Sequence, residues 1–99
     1  MMNTKTFDNT ILIGRLADEP CMAGNRVNFI TRNVNISKDG NEEFLDHSCY
    51  ATGKQAELVK RYLHKNDLVC VEGKLTPVDS FGNVNIFCKK ITFLSLHRR

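Results

Sequence analysis

Alternating apolar and polar residues form the main pattern along this chain, and they predict strands on both sides of one short helix. The strand-like runs are rich in β-branched and aromatic residues and cover residues 10–16, 26–36, about 44–51, 68–75 and 84–96. After the third run, Ala56, Val59 and Leu63 recur at helical spacing. The predicted order is therefore β-β-β-α-β-β.

Turn residues separate these runs. Pro20 stops strand pairing after the first run, and Ala23–Asn25 is typical of a tight turn. Ser37–Asn41 predicts a hairpin loop, because its Asp-Gly pair tolerates positive φ. At the helix start, Thr52 and Gln55 have the spacing of a capping box, in which each side chain bonds the other residue's backbone.

The element order indicates an all-β fold class. Three strands, a helix and two more strands are the order of the OB-fold, a five-stranded Greek-key barrel that binds oligonucleotides and oligosaccharides. Other five-stranded arrangements fit the periodicity as well. A chain of 99 residues is too short for two cores, so we expect one domain over residues 1–99 with its core at about 9–96.

Composition and charge restrict the class of protein only broadly. Hydrophobic residues at 41% and charged residues at 25% are ordinary for a water-soluble globular domain. The polar N-terminal stretch lacks the apolar segment of a signal peptide, so we expect a cytoplasmic protein. A net charge of +3 permits an anionic partner without requiring one.

The cysteines and histidines do not have the spacing of a metal site or a catalytic site. The four cysteines form no CxxC pair, and small buried thiols are the simpler interpretation. His47 and Cys49 share a face of the third strand but lack a third member for nucleophilic catalysis. We therefore expect no metal, no cofactor and no enzymatic activity.

Several segments resemble bacterial single-stranded DNA-binding proteins. The opening strand of that family is similar to Asn9–Leu16 followed by Asp18-Glu19-Pro20. The most specific matches are the GKQAE helix start at residues 53–57 and the VEGKL strand at 71–75. The resemblance spans about residues 9–96 and implies an OB-fold that binds single-stranded DNA.

The aromatic residues depart from the family pattern. Family members stack bases on a few aromatic residues, but Thr52 and Ser80 stand where two of them are expected, and the chain has no Trp. Each stacked base is worth roughly 1–3 kcal/mol. Phe81, in the turn after the fourth strand, is the strongest remaining candidate, and Tyr50, Phe44 and Phe87 are weaker ones.

Two of these aromatic residues have an alternative role in packing. Tyr50 is either a stacking platform or a cap at the bottom of the barrel. Phe87 and Phe93 are placed by simple alternation on one face of the fifth strand with Ile91, so at least one of the two is expected in the core.

Cations supply the other candidate contacts, because each one that neutralises a phosphate releases a counterion. The resemblance implies Lys54 and Lys74, and Arg15 lies in the opening strand. Lys60 and Arg61, on the helix, are expected to face solvent beside Glu57. The full set of predicted nucleic-acid-binding residues is Arg15, Lys38, Tyr50, Thr52, Lys54, Lys74, Phe81, Phe87 and Lys89.

Two functions of different class follow from these residues. The first is sequence-independent binding of single-stranded DNA, with RNA as a second substrate, in replication, recombination or repair. The second is a protein-interaction module of a replication or primosome complex that binds nucleic acid weakly. The resemblance also implies a homodimer or homotetramer through residues 3–13. Replication or recombination proteins are further partners to consider, although we do not expect an acidic tail to recruit them.

Phe81 and Lys74 give a first test of the strand's path. Phe81→Ala should cost roughly 1–3 kcal/mol of single-strand affinity and leave its salt dependence unchanged, because an aromatic ring releases no counterion. Lys74→Ala should instead make the salt slope shallower by about one unit. Anisotropy titrations with dT oligonucleotides at two salt concentrations measure both effects. If neither change alters binding, the interaction-module interpretation is favoured.

Overall fold

A computed structural model describes residues 9–77, 80, 82 and 84–95. Its first half contains β1 (Asn9–Leu16), β2 (Cys21–Ala23), β3 (Arg26–Ile36) and β4 (Glu42–Thr52). Its second half contains α1 (Gly53–Tyr62), β5 (Leu68–Leu75) and β6 (Asn85–Ser95). Within the described ranges no helix is long and apolar enough to cross a membrane. Val78, Asp79, Phe81 and Asn83, in the predicted turn after β5, lie outside these ranges, as do residues 1–8 and 96–99.

The strands form a closed sheet. Its order is β1-β5-β6-β4-β3-β2, and an additional pairing of β1 with β3 closes the barrel. All pairs are antiparallel except β4 with β6, which is parallel. Apart from β2, this is the five-stranded Greek-key arrangement of an OB-fold, so the predicted fold class is confirmed.

The short β2 was missed by the sequence analysis, which placed only a turn there. Cys21–Ala23 pairs with the start of β3, with Cys21 opposite Asn28 and Ala23 opposite Arg26. Three residues carry too little periodicity to be recognised as a strand, and the pairing depends on the adjacent turn at Gly24. The prediction for the β3–β4 loop is confirmed: Gly40 has a φ of 85°, and Ser37 N donates to the carbonyl of Asn41 at 2.8 Å.

The core lies inside the barrel and is made of alternate strand residues together with one face of the helix. From α1 and the residue that follows it come Ala56, Val59 and Leu63, all fully buried. The strands contribute Leu12, Leu16, Val27, Phe29, Cys49, Ala51, Val69, Val71, Ile86 and Cys88. None of these core residues faces outward. The side chains on the outer face of the barrel are therefore available to contact other molecules.

The helix begins where the sequence predicted but is held differently. Thr52 is the N-cap residue, yet its side chain makes no capping hydrogen bond. The Gln55 side chain does not return to the helix start either, since its Nε2 donates to the carbonyl of Lys89 at 2.7 Å. The predicted capping box is therefore wrong, and Gln55 instead ties α1 to β6.

The carbonyl that Gln55 binds belongs to a bulge in β6. Glu72 pairs with Lys90, but the next residue, Gly73, pairs with Cys88, so Lys89 is an extra residue. The bulge reverses which residues of β6 face inward: Ile86 and Cys88 are buried before it, whereas Ile91 and Phe93 pack on the core after it.

This reversal corrects the prediction for Phe87 and Phe93. Simple alternation placed both rings on one face, but they lie on opposite faces because an extra residue separates them. Phe93 packs against the core, as the sequence analysis expected of at least one of the two, and Phe87 belongs to the outer face.

Gly73 is the position where β5 comes closest to the bulge. A Cβ atom there would lie 2.1 Å from the carbonyl oxygen of Phe87 and 3.1 Å from the Cα of Cys88. Both are backbone atoms, which cannot move aside without breaking the ladder. The close approach of the two strands thus requires glycine at this position.

We expect Gly73→Ala to destabilise the protein by about 1–3 kcal/mol or more, because the added methyl group overpacks the bulge. Urea unfolding measures the change as a lower midpoint. Lys90→Ala, at an exposed neighbouring position of the same bulge, is the control and should change stability by less than about 0.5 kcal/mol. A Gly73→Ala protein as stable as the parent would contradict this account of the bulge.

Candidate nucleic-acid interface

One row of side chains crosses the outer face of the barrel from strand to strand. Asn28 in β3 pairs with Tyr50 in β4, and Tyr50 pairs with Phe87 in β6. Phe87 pairs in turn with Lys74 in β5, which pairs with Asn9 in β1. Neighbouring strands lie about 4.8 Å apart, so these side chains form a continuous surface. We call Asn28, Tyr50, Phe87 and Lys74, together with Arg26, the platform.

Two aromatic rings form the centre of the platform. The ring centroids of Tyr50 and Phe87 are 5.2 Å apart and the ring planes are inclined by 31°. Both side chains are half-buried. The Tyr50 ring lies on the outer face, because its neighbours Cys49 and Ala51 point into the core.

Arg26 completes one end of the platform. Its guanidinium carbon lies 3.8 Å from the centroid of the Tyr50 ring, and its Nε donates to Oδ1 of Asn28 at 3.0 Å. The hydrogen bond keeps the cation over the ring, at a distance favourable for a cation–π interaction. The sequence analysis missed Arg26, although the register predicted by the Ser37–Asn41 hairpin loop places it diagonally from Tyr50.

Several other predicted residues lie near the platform. Thr52 is exposed and pairs with Arg26 at the end of the β3–β4 ladder. Lys54 follows it, exposed in the first turn of α1. Lys89 is exposed on the bulge, two residues beyond Phe87. The structure therefore groups Tyr50, Phe87 and Lys74 closely and sets these three polar residues around them.

Arg15 and Lys38 lie away from the platform. Arg15 is at the far end of β1 from Asn9, and its Nη1 donates to the carbonyl of Asn66 at 2.9 Å. Lys38 is exposed in the turn between β3 and β4. Phe81, the strongest aromatic candidate from the sequence, lies outside the described residues.

A third aromatic residue, Phe44, lies on the outer face, farther along β3 and β4. Arg32 forms a bidentate ion pair with Asp46, with Nε to Oδ1 at 2.7 Å and Nη2 to Oδ2 at 2.9 Å. Its guanidinium carbon lies 5.4 Å from the centroid of the exposed Phe44 ring. The hydrogen bonds from Arg32 hold the pKa of the Asp46 carboxyl below its usual range.

Acidic residues flank the platform on its Asn28 side, since Asp18, Glu19 and Asn28 line the same cavity. Asp18 and Glu19 line a cavity of about 370 Å³ together with residues from the middle of β3 and β4. The Glu19 carboxylate accepts the backbone N–H of Lys65 at 2.9 Å and contacts Nδ1 of His64 at 3.1 Å. These contacts lower the pKa of Glu19, so a negative charge stays on this flank at neutral pH.

The four free cysteines differ in how far they are buried. Cys49 and Cys88 are buried, as predicted, but Cys21 is exposed and Cys70 is half-buried, which the sequence analysis did not anticipate. The hydrogen bond with Cys49 and burial raise the pKa of the Cys88 thiol. Among the described residues, no three or more His, Cys, Asp or Glu side chains are grouped to hold a metal ion.

Comparison with known proteins agrees with the fold. The fold is similar to the crystal structure of a small single-stranded DNA-binding protein from Streptomyces coelicolor, with a TM-score of 0.72 and 18% sequence identity. The match covers 86% of this chain and 90% of that one. No curated protein sequence matches the chain. The model of the single-strand binding protein family matches residues 7–85. The chain therefore belongs to the single-strand binding protein family, whose members bind DNA and are not enzymes.

Proposed function

We propose that the chain binds single-stranded DNA without sequence preference by laying the strand across the platform. The observation that carries this proposal is the Tyr50–Phe87 pair on the outer face, with Arg26 over one ring and Lys74 paired beside the other. Two adjacent rings flanked by cations can contact both the bases and the phosphates of a single strand.

The chemistry of the platform supports binding that does not read sequence. Every base has a π face, so stacking on Tyr50 or Phe87 tolerates any base and is worth roughly 1–3 kcal/mol for each. Arg26 and Lys74 contact phosphates in this proposal, and phosphate contacts carry no sequence information. A duplex hides its base faces within the stack, so single strands are the favoured substrate, with RNA as a second one.

The protein-interaction module remains the second candidate. It is favoured by the absence of aromatic residues at Thr52 and Ser80, both of which are exposed. Loss of two stacking positions weakens DNA binding and leaves surface for protein contacts. The DNA-binding interpretation is preferred because Tyr50 and Phe87 supply rings where the barrel face is open. Its cellular setting in this proposal is replication, recombination or repair in the cytoplasm.

Tyr50→Leu tests the platform, because leucine keeps the apolar contact with Phe87 but removes the aromatic face. We expect a loss of roughly 1–3 kcal/mol in affinity for a dT oligonucleotide. Tyr62→Leu is the matched control, since Tyr62 is an exposed tyrosine on α1 with Arg61 6.0 Å from its ring centroid. Fluorescence anisotropy at two salt concentrations, with thermal melting of each variant, measures the difference.

Two outcomes would contradict the proposal. One is equal affinity of the parent and folded Tyr50→Leu proteins for the single strand. The other is duplex binding as tight as single-strand binding at the same salt concentration, because stacking on the platform requires unpaired bases.

We also propose that β1 pairs with β1 of a second copy. Residues 9–14 pair with β5 on one side, whereas β1 meets β3 only at Arg15 and Leu16. One edge of residues 9–14 is therefore unpaired among the described strands. Ile11 and Ile13 are 70% and 53% exposed, which is unusual for isoleucine in a strand. An open edge of this kind is a template for pairing with another chain.

Ile11→Lys should shift the protein toward the monomer, because it places a charge on the proposed interface. Sedimentation equilibrium at tens of micromolar, an illustrative concentration for detecting weak association, measures the shift. Leu94→Lys, at an exposed apolar position of β6, is the control and should leave the mass unchanged. A parent protein that is monomeric under these conditions would count against the homodimer, and against a tetramer built from it.

A further inference from the structure

The second half of β6 has an unpaired edge. β6 pairs with β5 along most of its length, but it pairs with β4 only from Asn85 to Phe87. Residues 88–95 therefore have no partner on the β4 side among the described strands. In an antiparallel ladder, alternate residues of the outer strand direct their N–H and C=O groups away from the neighbouring strand. Groups that point outward in this way can pair with another chain.

Helix α1 reaches this edge at two places. The helix itself packs against β2, β3 and β4. From its first turn, Gln55 donates to the carbonyl of Lys89 at 2.7 Å, and at its end the Tyr62 ring centroid lies 6.5 Å from that of Phe93. No described side chain of α1 bonds the backbone of residues 90–95. The edge of β6 after the bulge is therefore beside the helix but not covered by it.

Apolar side chains lie on both sides of the space between helix and strand. Leu58 and Tyr62 are four residues apart on one side of α1 and are 40% and 46% exposed. Phe93 faces Tyr62, and Ile91 lies on the same face of β6 two residues earlier. Both β6 residues pack against the core but remain half-buried. We call Leu58, Tyr62, Ile91 and Phe93 the α1–β6 groove.

The charges around the α1–β6 groove are mainly positive. Lys54 lies one turn before Leu58, and the Arg61 guanidinium carbon lies 6.0 Å from the centroid of the Tyr62 ring. β6 contains two lysines and no carboxylate, and the one carboxylate of α1 is Glu57. Because complementary charges favour association, this surface fits an acidic partner.

We propose that the α1–β6 groove binds an extended, acidic segment of a partner protein as an added strand on β6. The backbone of the segment pairs with residues 90–95, its alternate apolar side chains pack between Leu58 and Phe93, and its carboxylates lie near Arg61. This site goes beyond the proposed function. It lies on the face of β6 opposite Phe87, so a bound segment leaves the platform open to DNA.

A peptide matches this surface better than a nucleic acid does. The edge of a strand presents alternating amide donors and carbonyl acceptors, and a peptide backbone has the same two groups. A phosphodiester backbone has acceptors only, so it cannot pair with the carbonyls of β6. The half-buried Phe93 ring also meets Tyr62 at an inclination of 54°, which leaves it less open to a stacked base.

A labelled synthetic peptide tests the groove. The probe alternates aspartate with valine or phenylalanine over about six residues, the usual length of a strand, and carries fluorescein. We expect saturable binding in anisotropy titrations that weakens as salt is added. One control peptide has lysine in place of aspartate, and another has every backbone amide N-methylated. Each control should bind at least about fivefold more weakly.

Matched protein variants locate the binding surface. Leu58→Ala should weaken the aspartate peptide by at least about fivefold, because an apolar contact is lost. Leu94→Ala, on the outer face of β6 and 46% exposed, should leave it unchanged. Arg61→Ala should weaken it by about 2- to 5-fold and reduce its salt dependence. Lys60→Ala should have no such effect, since Lys60 lies toward Glu19. Circular dichroism checks the folding of each variant.

Hydrogen exchange identifies the added strand. Alternate amides of residues 90–95 should exchange more slowly when the aspartate peptide is bound, because they gain hydrogen-bond partners. Ile86 and Phe87 are already paired on both sides, so their exchange should not change.

Four outcomes would overturn the proposal. They are no saturable binding of the aspartate peptide, equal binding of either control peptide, an undiminished affinity of folded Leu58→Ala, and unchanged exchange at residues 90–95. The groove would be a nucleic-acid site instead if Leu58→Ala and Arg61→Ala weakened a dT oligonucleotide as much as the peptide. Tyr50→Leu should bind the peptide like the parent protein, so failure of the platform and failure of the groove are distinguishable.

Discussion

The extra residue in β6 determines how the barrel divides its side chains between core and surface. Without a bulge at Lys89, residues 87, 91 and 93 would share one face, and a ring would be lost either from the interior or from the platform. With the bulge, Ile86 and Cys88 fill one end of the core and Phe93 the other, while Phe87 meets Tyr50 outside. Gly73 leaves space for the bulge because it has no side chain. Gln55 donates a hydrogen bond to the carbonyl of Lys89, the extra residue in the ladder.

The short contact between β1 and β3 has a comparable effect at the other end of the barrel. Two residue pairs close the sheet there, and beyond them both strands have unpaired edges among the described residues. One consequence is the exposed edge around Ile11, and the other is a cavity of about 450 Å³ between β1 and β3 that Arg15, Arg32 and Lys65 line. A longer ladder would have sealed the barrel more completely and removed both surfaces.

The sequence was sufficient for the fold because its signals there are local. Hydrophobic alternation and the Asp39-Gly40 turn predicted the large strands to within two residues, and Ala56, Val59 and Leu63 identified the buried face of the helix. Family resemblance supplied the closed topology, which periodicity left open. The bulge was not predictable in this way, because nothing in the run Cys88-Lys89-Lys90 marks which residue lacks a partner. The role of Gln55 was missed for the same reason, since its acceptor exists only once the bulge has formed.

The site was predicted less completely because it depends on register between strands. Tyr50, Lys74 and Phe87 were each identified singly, but their contact follows from the pairing of Tyr50 with Phe87 and of Phe87 with Lys74. Arg26 and Arg32 lie over the rings of Tyr50 and Phe44, which are diagonal neighbours across one hairpin. The register of a hairpin can be predicted from its turn. Both arginines precede the strand partner of an aromatic residue by two positions. A chain with few aromatic residues thus places a cation against Tyr50 and against Phe44, the two rings on the outer face of β4.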